Sequence, residues 1–316
     1  MKSYFAKLKM LTIHQIKEYI ILSKYYQFRK KKETKRIIVA VFDNRRKAMG
    51  LVDRLKGIIS LYAFSKIHDI TFKCDFNFPF NLDNYLIPHK YNWVFGLNEK
   101  STSQLNTRVL ILHGEDGQRL VNYRQRKQTH VYINRDYLDI LNKKFNKEYV
   151  WGELFNELFK PAPTLEAKLN YFSKEIGAEY IACQLRFMSL LGDFNEYNQK
   201  PLPAHLQDDL IDKCANKILE LKSKYTHPLL VVSDSVRFVE HMTKFDGIVG
   251  FPEKIVHIDC VENVEEDVFL KPFIDFFMLS KATKVFSIVS DGMYESHFPL
   301  YAAKLNNVPF ERIHIN

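Results

Sequence analysis

Glycine is scarce in this chain, 11 residues in 316, and the glycine-dependent phosphate motifs are absent. Neither G-x-G-x-x-G nor G-x-x-x-x-G-K-[ST] occurs, so a dehydrogenase fingerprint and a P-loop are unsupported. No G-x-S-x-G elbow anchors a hydrolase triad, and no H-E-x-x-H pair offers a zinc site. No D-x-D triplet occurs, which disfavours metal-bridged diphosphate binding. The four cysteines, Cys74, Cys183, Cys214 and Cys260, are widely spaced and form no C-x-x-C. This spacing predicts a reducing, cytoplasmic setting and no structural zinc. Long apolar runs are missing too. The longest near the N-terminus, Tyr19–Leu22, falls far short of the roughly 20 residues of a membrane span. No cleavage site follows it, so a secretory signal is not expected.

What is present is an ordinary globular balance, 46% hydrophobic and 26% charged, with 25 Phe and 17 Tyr. At roughly 100–200 residues per domain the length suggests two domains. The net charge of +9 is not spread evenly. Residues 1–36 hold eleven Lys or Arg against Glu18 and Glu33, and the remaining chain is charge-balanced. A neutral body argues against nucleic-acid binding. Residues 4–28 have helical apolar spacing, and Arg29–Lys32 form a basic cluster. The segment reads as a surface helix with a solvated charge run, or as a docking element for an anionic membrane face.

The order of elements is that of an α/β protein. Residues 36–42 hold a short β-branched apolar run, 49–67 have helical periodicity, and 70–74 read as a second strand. Short strands follow at 109–112 and 131–133, and a helix covers 150–160. Pro161-Ala-Pro163 then suggests a domain boundary near 161–165, with Thr164 able to cap the next helix. The three parts are therefore 1–36, a lobe over 37–163 and a lobe over 164–316. In the second lobe, strands are expected at 180–185, 228–232, 255–258 and 284–289. Helices are expected at 205–224, 237–244, from Pro272 through Leu279, and at 298–305.

Ligands of open parallel sheets bind beyond the carboxyl ends of the strands. Arg186 follows the 180–185 strand, Ser233-Asp234-Ser235 follow 228–232, and Ser290-Asp291-Gly292 follow 284–289. A guanidinium at a strand end can bind a diphosphate in bidentate fashion and stabilise a leaving group, or form a salt bridge between domains. Ser233, Asp234 and Ser235 can fix a base or ribose, or cap a helix. The Ser290–Ser296 turn precedes a helix whose amides can hold a phosphate, or serves as its cap.

Gly50-Leu-Val-Asp53-Arg54-Leu-Lys-Gly57 and Pro79-Phe-Asn-Leu-Asp-Asn-Tyr-Leu86 resemble the N-terminal lobe of the GT-B fucosyltransferases. That group includes the nodulation enzyme and the α1,6-, α1,2- and protein O-fucosyltransferases. Three C-terminal motifs also resemble theirs. They are Gln184-Leu-Arg186, with Gln184 where the family has His; Ser233-Asp234; and Asp275 through Ser280 with Ser290 and Ser296-His-Phe298. The resemblance implies two Rossmann-like lobes with a cleft between them. It implies an inverting, metal-independent transferase using GDP-fucose and a glycan or lipid-linked glycan acceptor. Arg186 would hold the β-phosphate. Asp234 and its serines would meet base or ribose, and Asp275 would support that pocket. Ser290, Ser296 and Phe298 would line the phosphate and sugar. Asp53, Asp193 and Glu196 are candidate bases, and the aromatic stretch 76–93 would face the acceptor. The rival readings are a non-catalytic nucleotide- or sugar-binding protein of this fold and a nucleic-acid partner of the basic tail.

Overall fold

A computed structural model of the chain describes residues 36–315, apart from 47, 97, 113, 115, 125–126, 194–199 and 252–265, together with residues 16, 20–21 and 23–26 upstream. In chain order the strands and helices begin with β1 (Ile37–Phe42), α1 (Leu51–Ile67), β2 (Thr71–Phe76), β3 (Leu86–Pro88) and β4 (Thr107–Ile111). There follow α2 (Gly117–Val121), β5 (Gln128–Tyr132), α3 (Leu138–Phe145), α4 (Trp151–Leu158), β6 (Phe159–Pro161) and α5 (Pro163–Ile176). Next come β7 (Ile181–Leu185), α6 (Ala204–Ser223), β8 (Leu229–Ser233), α7 (Val236–Met242) and β9 (Ile248–Gly250). The last are α8 (Leu270–Lys281), β10 (Lys284–Ser290), α9 (Phe298–Leu305) and β11 (Phe310–Ile315). The expected strand at 255–258, Glu196 and the Arg29–Lys32 cluster lie outside the described residues. Among the described residues no helix is long and apolar enough to cross a membrane.

The chain divides into two compact units, residues 1–81 with 88–150, and residues 82–87 with 151–316. The Pro161–Leu165 stretch lies inside the second unit. Pro163 is the first residue of α5, so Thr164 sits within the first turn and not at its cap.

The first unit carries a four-stranded parallel sheet in the order β2-β1-β5-β4. All six β1 side chains are buried, as expected of a parallel strand covered on both faces. Gly57 lets α1 lie against the backbone of Ile133, since a Cβ there would stand 2.5 Å from the Ile133 carbonyl oxygen. On another part of the sheet, Tyr25 packs with Ile37, Val39, Val41, Ile111 and Tyr132. Residues 20, 21 and 23–25 are helical. This part of the predicted N-terminal helix is thus core, through Tyr25.

The second unit carries a five-stranded parallel sheet in the order β11-β10-β7-β8-β9. From the central β7 the chain steps outward to β8 and β9, then returns to β10 and β11 on the other side. The order therefore reverses between β7 and β10. α6 buries Leu210, Ile211, Cys214, Ala215, Ile218 and Leu221, one stripe of a 3.6-residue repeat, against this sheet's core. The excursion Leu82–Ile87 belongs to this unit. The Ala162 N–H donates to the Tyr85 carbonyl at 2.8 Å, and the Tyr85 ring stacks on Phe273 with centroids 4.7 Å apart.

Four of the six rings in the aromatic stretch 76–93 are buried, and Phe78 and Tyr91 are half-buried. Phe76, Phe80, Tyr85 and Trp93 are buried in the cores, and the Tyr91 hydroxyl is bonded to the backbone of Phe72. Burial of large apolar rings such as these stabilises the fold.

Candidate functional site

In an open α/β sheet the crevice for a ligand forms where the strand order reverses. In the second unit that place lies beyond the ends of β7 and β10. Arg186 follows β7 and Ser290 ends β10. The sequence-predicted residues Arg186, Ser233, Asp234, Ser235 and Ser290 thus stand at the carboxyl edge of three adjacent strands.

Arg186 Nε lies 3.4 Å from Asp234 Oδ2. The Asp234 carboxylate also accepts N–H bonds from Phe187 and Met188, each at 2.8 Å. Burial pushes the Asp234 carboxyl upward from its ordinary value, while the Arg186 charge and the two amides work against that shift. Met188 has φ +55°, a left-handed conformation uncommon outside glycine. Residues 186–188 therefore fold tightly about one carboxylate.

The neighbouring turn is built around Gly292. With φ +81° it permits the bend that closes with a Met293 N–H to Ser290 carbonyl bond of 3.0 Å. The next amide, Tyr294 N–H, donates to the Arg186 carbonyl at 3.2 Å, tying the two strand-end turns together. Arg312 on β11 braces the loop from the other side. It is ion-paired to Glu295 and donates to the Ser296 carbonyl at 2.7 Å. Ser296 Oγ accepts from the N–H of Phe298, the first residue of α9, at 3.1 Å, in the turn that leads into the helix. Phe298 is half-buried with its ring edge-on to Phe276.

Ser235 is the cap of α7, its Oγ accepting from the Phe238 N–H at 3.1 Å. Asp193 joins the same helix start. Its Oδ2 accepts from Ser235 Oγ at 2.7 Å and from the Arg237 N–H at 3.1 Å. A carboxylate at a helix N-terminus is stabilised by the exposed amides and by the dipole. Ser233 Oγ accepts the Ser235 N–H at 3.1 Å. Asp275 lies on α8, ion-paired to Lys271 one turn earlier, and the two side chains are only 4% and 3% exposed. A buried pair of this kind holds its own geometry but contributes little net stability. Asp53 belongs to the first unit, in the first turn of α1, with its carboxylate 3.0 Å from Lys56 Nζ.

Sequence reasoning missed three residues here. Lys271 is invisible as a partner because nothing in the local pattern marks a lysine for burial. Tyr294, 53% exposed, shares its turn with the serines and is singled out only by its bond to Arg186. Arg312 lies on β11, a strand that the sequence did not suggest. Among the described residues no group of three or more His, Cys, Asp or Glu is placed to hold a metal ion.

No family model matches the sequence, and no curated protein matches it. Solved structures do match the fold. Arabidopsis thaliana FUT1 in complex with GDP superposes with a TM-score of 0.58 at 13% identity, over 95% of this chain and 75% of that one. NodZ alpha-1,6-fucosyltransferase co-crystallized with GDP gives 0.56 at 13% identity, over 90% of this chain and 96% of that one. The same NodZ enzyme soaked with GDP-fucose gives 0.53 at 13% identity, over 86% and 93%. The fold of this chain is thus that of the GT-B fucosyltransferases, as its sequence motifs suggest.

Proposed function

We propose that the chain is a glycosyltransferase taking its sugar from a nucleoside-diphosphate donor, GDP-fucose foremost, and passing it to a glycan or lipid-linked glycan. The observation that carries this reading is Arg186 at the strand-order reversal, held by Asp234. The fold supports it, as does the presence of GDP or GDP-fucose in the similar enzymes.

The reaction is an inverting displacement. An acceptor hydroxyl oxygen bonds to the anomeric carbon, and the bond from that carbon to the β-phosphate oxygen breaks. The electron pair leaves on the diphosphate. Arg186 meets the charge that grows there, so no metal is required. Ser233, Ser235 and Asp275 serve the nucleoside side, and Ser290, Ser296 and Phe298 the phosphate and sugar side. The acceptor's proton passes to a carboxylate. Asp53, Asp193 and Glu196 are the candidates for that carboxylate. The basic N-terminal segment brings the protein to an anionic membrane surface on the cytoplasmic side.

Release of GDP from GDP-fucose, measured with EDTA present and with a panel of other nucleotide sugars, tests this reading. Turnover of one GDP-sugar supports it; turnover of none contradicts it. One observation favours a second reading, that of a non-catalytic binder. Gln184 stands where the family has His, and its side-chain amide donates to the Leu185 carbonyl at 3.1 Å. Tight GDP binding without turnover is the outcome that reading predicts.

A further inference from the structure

The sequence assigns Asp234 to the base or ribose of the donor. Its surroundings assign it elsewhere. Oδ1 accepts the Phe187 N–H at 2.8 Å, and Oδ2 accepts the Met188 N–H at 2.8 Å and faces Arg186 Nε at 3.4 Å. Three consecutive residues of one turn are thus organised by one carboxylate from the neighbouring strand. The Asp234 side chain is 2% exposed, while that of Arg186 is 20% exposed. The buried partner lies behind and the cation faces outward. The contact is made at Nε, the guanidinium nitrogen nearest the main chain, so the plane of the fork is set by β8. The Tyr294 N–H on the Arg186 carbonyl fixes the same residue from the β10 side.

We propose that Asp234 is a positioning residue, which holds the Arg186 guanidinium in the plane that receives the donor's diphosphate and makes no donor contact of its own. This rests on the donor reading above. A charged group held in place before the ligand arrives loses less freedom on binding, so the benefit appears on the phosphates and not on the nucleoside.

The test is calorimetric titration of the full chain with GDP and with guanosine, in Asp234→Asn, Arg186→Ala and the double variant. Asp234→Asn is expected to weaken GDP by about tenfold or more and to leave guanosine unchanged. In the Arg186→Ala background it is expected to add no further loss, because the two residues act as one unit. Equal losses for GDP and guanosine, or a further loss of GDP affinity in the double variant, would overturn the assignment. If Asp234→Asn does not melt cooperatively, Asp234→Glu replaces it. That side chain keeps the charge but is one methylene too long to hold both amides, and the same GDP-selective loss is expected. Unchanged GDP affinity in either variant contradicts the positioning role. Failure of the unsubstituted chain to bind GDP instead overturns the donor reading, and this assignment with it.

Discussion

The Tyr25 hydroxyl donates to Nδ1 of His130, joining the N-terminal segment to the middle of β5. The direction of the bond follows from its neighbours. The Ser101 N–H can only donate, so the Gln128 atom 2.8 Å away is its side-chain oxygen. That oxygen then accepts from His130 Nε2 at 2.9 Å, leaving Nδ1 as the acceptor for Tyr25. Replacing Tyr25 by Phe keeps the ring and strands a buried acceptor. A loss of about 1–3 kcal/mol is expected in denaturant unfolding. A loss near zero would mean that the phenol hydroxyl contributes nothing.

His130 also sets a pH dependence. Burial, assisted by the Lys100 charge, pushes its imidazole down to about 3. The unfolded chain takes up this proton near pH 6.5 and the folded one does not. The unfolded state therefore binds more protons between these values, and stability falls as pH drops from about 6.5 toward 3. Above pH 6.5 the group is neutral in both states and has no effect. Melting curves of His130→Gln should show a shallower acid limb than the parent. Identical limbs would remove His130 as the cause.

Because Tyr25 is part of a core, membrane docking cannot be tested by removing all of residues 1–36. Truncation through residue 26 is expected to uncover Ile37, Val39, Val41, Ile111 and Tyr132, and to lower solubility. Changing Arg29, Lys30, Lys31 and Lys32 to Gln leaves that core intact. It should sharply reduce co-sedimentation with phosphatidylserine vesicles, since each basic residue near such a surface contributes about 1 kcal/mol. Equal binding by both proteins would contradict docking through this cluster.

Gly57 offers a test of sign. Helix propensity alone predicts that Gly57→Ala stabilises α1 by roughly 0.5–1 kcal/mol. The new Cβ would stand 2.5 Å from the Ile133 carbonyl oxygen, which is backbone and cannot step aside cheaply. A net loss of about 1–3 kcal/mol and a lower Tm are expected. A higher Tm would show that α1 does not lie this close.

The parts of the fold that were legible are those written in local pattern. The run at 36–42 contains β1, one residue shorter, and the helix at 298–305 has its predicted bounds, because continuous burial and a helical apolar stripe leave direct traces in sequence. β9 has only three residues, and β11 is an edge strand in which Glu311 and Arg312 interrupt the apolar pattern, so neither stood out. At the site, the strand-end rule finds Arg186, Asp234 and Ser290. It does not show that Asp234 faces Arg186 across two strands, that Lys271 is buried against Asp275, or that Asp193 completes a helix cap. Those relations depend on tertiary contacts. The burial of Phe76, Phe80, Tyr85 and Trp93 was not legible for the opposite reason. An aromatic side chain suits a sugar-binding surface and a core equally well, and only burial distinguishes them.

The central claim is that Arg186 receives a nucleoside diphosphate. Titration of GDP into the chain in EDTA, and into Arg186→Ala, tests it most directly. Charge-assisted hydrogen bonds of this type contribute about 1.5–3 kcal/mol, so the variant should bind GDP roughly 10- to 100-fold more weakly. Equal affinity in the two proteins, or no GDP binding by the parent, would contradict the account.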